Sequence, residues 1–283
     1  MVLSNAAKYF VPAPSRWPII GSVSLFTMAA GAAAWFNGAH VGSWVLLAGF
    51  AGLVYMMVGW FGNVIHESQS GMYNRRVDVS FRWGMSWFIF SEVMFFAALF
   101  GALAWARLYS VPDLGGIEAK LLWPDYSATW PTVGPGFDTQ FTPMSAWGIP
   151  ALNTLLLLTS GVTITWAHHA LKEDHRNQLI IGLFLTVLLG ITFLGFQVYE
   201  YAHAYADLNL KLTSGIFGTT FFMLTGFHGF HVTVGTIMLI VILIRSIKGH
   251  FRPEHHFAFE GVAWYWHFVD VVWLGLFIVV YWL

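Results

Sequence analysis

A chain of 283 residues that is 57% hydrophobic and only 10% charged cannot cover a water-facing surface, since soluble domains carry about 25% charged residues. Its net charge of −1 gives no electrostatic hold on nucleic acid, and the absence of cysteine excludes disulfides, iron–sulfur clusters, thiolate-ligated haem and thiolate copper sites. Aromatic residues reach 18%, with 15 Trp and 26 Phe, which suits membrane-interface belts and helix packing.

The first residues, 1–18, are mixed in character and contain Pro12, Pro14 and Pro18; they lack the compact apolar core and small-residue cleavage site of a signal peptide. Crossing a bilayer takes about 20 apolar residues. Seven stretches qualify, at 17–36, 44–65, 83–106, 147–170, 178–201, 215–244 and 257–282. Each is predicted to be a helix, because lipid offers backbone groups no other partner, and the runs are too long and too evenly apolar for barrel strands. The expected fold is therefore all-α, a seven-helix membrane bundle in one membrane domain, 1–283. The polar connection 67–82 is long enough to let helices 1–2 (1–66) stand apart from helices 3–7 (83–283). The segment 109–146 holds Pro112, Pro124, Pro131, Pro135 and Pro143 and is predicted to be an irregular extramembrane loop. Small residues at 29–34, Gly49, Gly52, Ala97, Ala98, Gly101, Gly226 and Gly229 are expected to let helix backbones approach closely.

The positive-inside rule sets the orientation. Ten basic residues fall on one side (Lys8, Arg16, Arg75, Arg76, Arg82, Lys172, Arg176, Arg245, Lys248, Arg252) and three on the other (Arg107, Lys120, Lys211). The N-terminus is thus expected in the cytoplasm and the C-terminus outside, with the acids of the long loop, Asp113, Glu118, Asp125 and Asp138, on the outer face.

A carboxylate near the bilayer centre costs about 2.5–3.5 kcal/mol on insertion scales, so each one asks for a partner or a task. Glu92 lies about ten residues beyond Arg82, roughly 15 Å along a helix, with no basic residue near it in sequence. It reads either as a neutral acid donating a hydrogen bond to another helix or as a functional proton-exchanging group. His267 and Asp270 share a helix face at i,i+3 and can form a polar network, while Glu260 lies near the basic rim. His228 and His231 are also i,i+3 and could in principle ligate a metal or haem, although haem ligands usually face one another from different helices. Glu200, in the run from Tyr199 to His203, is read as part of an interfacial hydrogen-bond cluster, and His168 and His169 as a solvated helix end. Arg245 and Lys248 at one end of the sixth helix, with His66 and Glu67 ending the second, read either as ordinary positive-inside anchors or as lipid-phosphate ligands. There is no phosphate loop, nucleophile elbow or clustered metal motif.

Several of these residues sit in long motifs: Ser-Glu-Val-Met-Phe-Phe at 91–96, Trp-Ala-His-His at 166–169, Phe-His-Gly-Phe-His-Val at 227–232, and Trp-Tyr-Trp-His-Phe-Val-Asp-Val-Val-Trp at 264–273. From about Trp17 to the C-terminus, in this order, they closely resemble subunit III of cytochrome c oxidase, a haem–copper respiratory oxidase. The resemblance implies a seven-helix subunit of a bacterial inner membrane, two helices and five with a lipid-filled cleft between them, and no redox cofactor of its own. It implies direct packing on subunit I, which holds haem and copper, alongside subunit II and small subunits, with cytochrome c bound elsewhere on the complex. It further implies bound phospholipids and a role in proton uptake by subunit I and in protecting that centre during turnover. Carried over by position, Glu92 resembles the buried acid that reacts with carbodiimides, and Arg245, Lys248 and Glu67 resemble the lipid-headgroup rim. His66 stands where the mitochondrial form has arginine, and Tyr73 falls near a histidine position. Quinol-oxidising relatives have a similar subunit with five helices, so seven favours the cytochrome c branch.

Two other readings compete. A stand-alone proton-coupled transporter would use Glu92, Glu200 and Asp270 as a relay, yet the internal repeats and broken helices of transporters are not evident. A haem-bearing subunit would use His228 or His231.

Overall fold

The computed structural model describes residues 10–136 and 140–283; Lys8 and Asp138 lie outside them. Seven long apolar helices cross the membrane: α1 (Trp17–Phe36), α2 (Val41–Gln69), α3 (Arg75–Trp105), α4 (Ile149–Lys172), α5 (Arg176–Ala206), α6 (Gly215–Ile247) and α7 (Phe257–Leu276). The described residues contain no β-strand. The chain is an all-α, multi-pass membrane protein.

The helices outrun the apolar stretches. α2 continues to Gln69 and α3 begins at Arg75, so the connection predicted at 67–82 shrinks to 70–74. Polar residues prolong a helix freely once it leaves the hydrocarbon, because its hydrogen bonds close along its own backbone. At its far end α3 runs on through a π-helical turn, Ala106–Ser110, and a last turn, Val111–Asp113. Pro112 is tolerated there because the opening positions of a helical turn need no N–H donor. A further short helix, Ile117–Leu122, occupies part of the predicted loop, which leaves irregular runs at 123–136 and 140–148. α7 likewise ends in a π-helical turn, Phe277–Trp282.

Two compact units divide the chain, Met1–Phe81 and Arg82–Leu283, so the boundary falls inside α3. In the first unit α1 and α2 form a hairpin with their backbones in near contact. A Cβ on Gly42 would collide with the Trp35 nitrogen and one on Gly31 with the Leu46 nitrogen, and one on Gly49 would lie 2.6 Å from the Met28 nitrogen. The close backbone approach expected at Gly49 is found here, while Gly52 makes room for the Ser24 side chain. At Gly101 and Gly229 a Cβ would meet nothing within 4 Å, so the same expectation fails there. A small residue permits contact, but only a partner helix realises it.

The second unit is an up-and-down bundle centred on Trp266, which is fully buried. Gly190 on α5 and Gly235 on α6 lie against its ring, and its indole N–H donates to Ser160 Oγ on α4 at 2.8 Å. Trp273, one helical stretch on, donates to Thr154 Oγ1 at 2.9 Å. The largest core side chains are thus satisfied polar rods as well as apolar mass. α3 reaches the bundle through rings, with Phe96 packed on His231 and Phe268 and Phe88 stacked on Tyr265.

Adding one methyl at Gly42 must push α1 and α2 apart, so Gly42→Ala should destabilise the protein by about 1–3 kcal/mol. Gly101→Ala, which has open space, should leave stability unchanged. Thermal melts in mild detergent distinguish the two; equal midpoints would refute the backbone contact.

Candidate functional site

Midway along the second unit Glu92 meets His231, 139 residues away in sequence, with Oε2 at 2.9 Å from Nε2. The other ring nitrogen, Nδ1, lies 2.7 Å from the Phe227 carbonyl. A carbonyl only accepts, so Nδ1 carries a proton and donates. The Nε2···Oε2 contact then needs one more proton, held either as the Glu92 acid or as the His231 imidazolium. The pair therefore holds a single shared proton, with Phe95, Phe96, Phe230 and Phe268 around the imidazole.

His228 does not share this role. It is 1% exposed, points Nε2 to the Val269 carbonyl at 3.3 Å, and packs between Phe193 and Trp273. Its Nε2 is therefore directed at a protein carbonyl inside the bundle. On α7, Asp270 is buried, and His267 Nδ1 stands 3.8 Å from its Oδ2, beyond hydrogen-bond reach. His267 instead turns Nε2 to Thr165 Oγ1 at 3.3 Å.

At one end of the bundle Glu260 forms an ion pair with Arg82. Its other oxygen lies 3.5 Å from His256 Nε2 and 3.8 Å from His168 Nε2, and the two imidazoles approach to 3.3 Å. His168, expected to be a solvated helix end, is drawn into this cluster because the start of α7 folds over it; His169 is the exposed one. His168, His256 and Glu260 offer three ligand atoms within 4.8 Å of one another, a donor set able to hold a divalent cation, with the Arg82 charge opposing one. Nearby, Arg245 is 8% exposed, lies 4.6 Å over the Phe251 ring, and keeps a buried Nε with no hydrogen-bond partner. Among the described residues it pairs with no carboxylate. Lys248 caps the same helix. Burial, then the charges of Arg245 and Lys248, push the His250 imidazole down, so the positive charge here belongs to Arg245 and Lys248.

At the opposite end Glu200, 1% exposed, accepts the Tyr281 hydroxyl at 2.6 Å. Tyr201 pairs with Thr225 at 2.7 Å, and His203 with Asp207 at 2.6 Å. Glu92, Glu200 and Asp270 thus have separate surroundings and form no relay. In the first unit His66 is exposed, and Glu67 accepts the Tyr73 hydroxyl at 2.7 Å. Burial and the neighbouring carboxylate push that hydroxyl up, so it remains a donor.

The family model for cytochrome c oxidase subunit III matches residues 7–283. The chain belongs to this family. It is 42% identical over 280 residues to the cytochrome c oxidase subunit 3 of Latimeria chalumnae, covering 98% of each chain. The protein of that name from Chondrus crispus is 43% identical over 270 residues, 95% of this chain and 91% of the relative. That from Marchantia polymorpha is 41% identical over 283 residues, all of this chain and 98% of the relative. Subunit III is a member of the oxidase assembly and carries no redox centre itself, and His228 and His231 are engaged with protein groups in keeping with that. The sequence pointed to Glu92 but not to its partner; it put Glu260 near the basic rim, where Arg82 meets it, and it missed Ser160, Thr154 and Tyr281. The i,i+4 spacing of His256 and Glu260 was a readable sign of their pairing.

Glu92→Gln keeps a group that can donate to His231 Nε2, so its stability should stay near that of the parent. Glu92→Ala and His231→Leu should each cost about 1–3 kcal/mol by stranding a buried partner. The double variant should cost less than the sum, and an additive cycle in detergent melts would contradict the pairing.

Proposed function

We propose that this chain is the non-redox, lipid-binding subunit of a proton-pumping oxidase that reduces oxygen to water, where it steadies subunit I and supports proton uptake into it. Haem and copper belong to the partner subunits, subunit II and small subunits complete the assembly, and cytochrome c docks elsewhere. The observation that carries the lipid arm is Arg245. A guanidinium this buried, with an unpartnered Nε and no acid beside it, requires an anion, and at the end of a membrane helix the anion at hand is a lipid phosphate. Lys248 adds a second charge to this rim, and Glu67 and His66 are assigned to headgroup contacts on the first unit.

Glu92 is the proton-exchanging group in this reading. Its one-proton contact with His231 supports the assignment, since the proton can move between Glu92 and His231 while the pair stays net neutral. The excess of basic residues on one side supports an N-terminus in the cytoplasm and a C-terminus in the periplasm, in the reading of this chain as a subunit of a bacterial inner membrane.

Arg245→Ala should strip tightly held phospholipid from the purified complex and shorten its active lifetime during turnover. Arg245→Lys should fall between, because it keeps the charge but loses the planar fork. Phosphorus analysis and turnover traces provide the test; parent-like lipid content and lifetime in Arg245→Ala would refute the reading.

A further inference from the structure

Between α4 and α7 runs an open groove lined by Leu158, Gly161, Val162, Asp270, Val271 and Leu274. Its walls are apolar, as any lipid-facing surface would be, but its floor is not. Asp270 is 6% exposed, and its Oδ1 is sealed off with no hydrogen-bond partner. Its Oδ2 lies against α4 where Gly161 has no side chain, since a Cβ there would come within 2.6 Å of it.

The nearest polar neighbour does not satisfy this acid. Thr165 gives its hydroxyl proton to the Gly161 carbonyl at 2.8 Å, so it can only accept from His267 Nε2 at 3.3 Å. In the neutral imidazole Nδ1 is then unprotonated, and it stands 3.8 Å from Asp270 Oδ2. A buried carboxyl group left in this state is costly in hydrocarbon.

Depth decides what can supply the missing donor. Asp270 lies midway along Phe257–Trp282 and Gly161 midway along Ile149–Lys172, roughly 16–20 Å from either end at about 1.5 Å per residue. Lipid headgroups sit at those ends, and an acyl chain has no donor. We infer that the groove receives a membrane-spanning helix of a partner oxidase subunit, one that brings a hydrogen-bond donor to Asp270 Oδ2, the carboxyl oxygen beside Gly161, at mid-membrane. This rests on membership of the oxidase and names the face through which the chain joins it. Val162 and Val271, 69% and 67% exposed, form the rim such a helix would cover.

The absence of cysteine allows a direct test. Val162→Cys and Val271→Cys are introduced singly into the assembled complex and labelled with benzophenone maleimide; adducts seen in the parent complex are subtracted. After illumination, both positions should join this chain to a partner oxidase subunit. In mild detergent Asp270→Leu should be retained in the complex about tenfold less than the parent, whereas Asp270→Asn, which keeps an acceptor, should be retained nearly as well. Adducts only with phospholipid or with a second copy of this chain would overturn the inference, as would parent-like retention of Asp270→Leu. The crosslinking arm stands even where Asp270→Leu fails to fold. Loss of every oxidase subunit from the parent preparation would overturn the functional reading itself, whereas intact co-purification with lipid-only adducts would overturn the groove alone.

Discussion

Everything polar inside this protein is governed by the absence of water at mid-membrane. A donor or acceptor there must be met by another helix or remain a cost of several kcal/mol. The contact between Glu92 and His231 is the clearest consequence. The Phe227 carbonyl fixes one imidazole proton, and this leaves the other nitrogen to share a single proton with the acid. Because the backbone sets the tautomer, the pair is directional. It also ties α3 to α6 by a polar bond at mid-depth, where the other contacts of α3 are aromatic rings, as the Arg82–Glu260 ion pair ties it to α7 at one end.

The same rule makes α7 the organising element of the second unit. Trp266 and Trp273 fill the centre, yet each spends its indole N–H on a hydroxyl of α4. Each such bond is worth only about 1 kcal/mol net, but leaving it unmade costs more, so the hydroxyls select one rotation of α4 against α7. Gly190 and Gly235 then let α5 and α6 close on the same ring. The bundle is specified by where large side chains find donors and acceptors, while apolar matching alone would tolerate several rotations.

That division explains what could be read from the residues in order. Hydropathy located all seven spans, since bilayer thickness sets their length whatever their neighbours. It misjudged their ends, because helical hydrogen bonds persist into polar sequence, as at Gln69 and Arg75. Glu92 stood out as a charge in the wrong solvent, but its partner lies 139 residues away and no local spacing reveals it. His168 looked like a solvated terminus because nothing near it in sequence shows that the start of α7 covers it. The small residues show the same limit: Gly49 and Gly101 look alike in sequence, and only one faces a helix.

Polar groups inside the bundle differ in how far the chain answers them. Glu92, Glu260 and one oxygen of Glu200 are met by His231, Arg82 and Tyr281. Arg245 Nε at the basic end of α6 and Asp270 Oδ1 at mid-depth on α7 are buried without a partner, as are the Asn153 amide and Glu200 Oε2. A chain under pressure only to fold would gain by replacing Arg245 and Asp270 with apolar residues of similar size, because a buried polar group without a partner is a net cost. Their presence is intelligible if the complete environment includes groups this polypeptide does not supply. At the membrane surface that group is an anion, and at mid-depth it is a donor on a protein helix. A subunit that performs no redox chemistry can then contribute through its surroundings, with its satisfied acids holding the bundle and its unsatisfied groups holding the assembly.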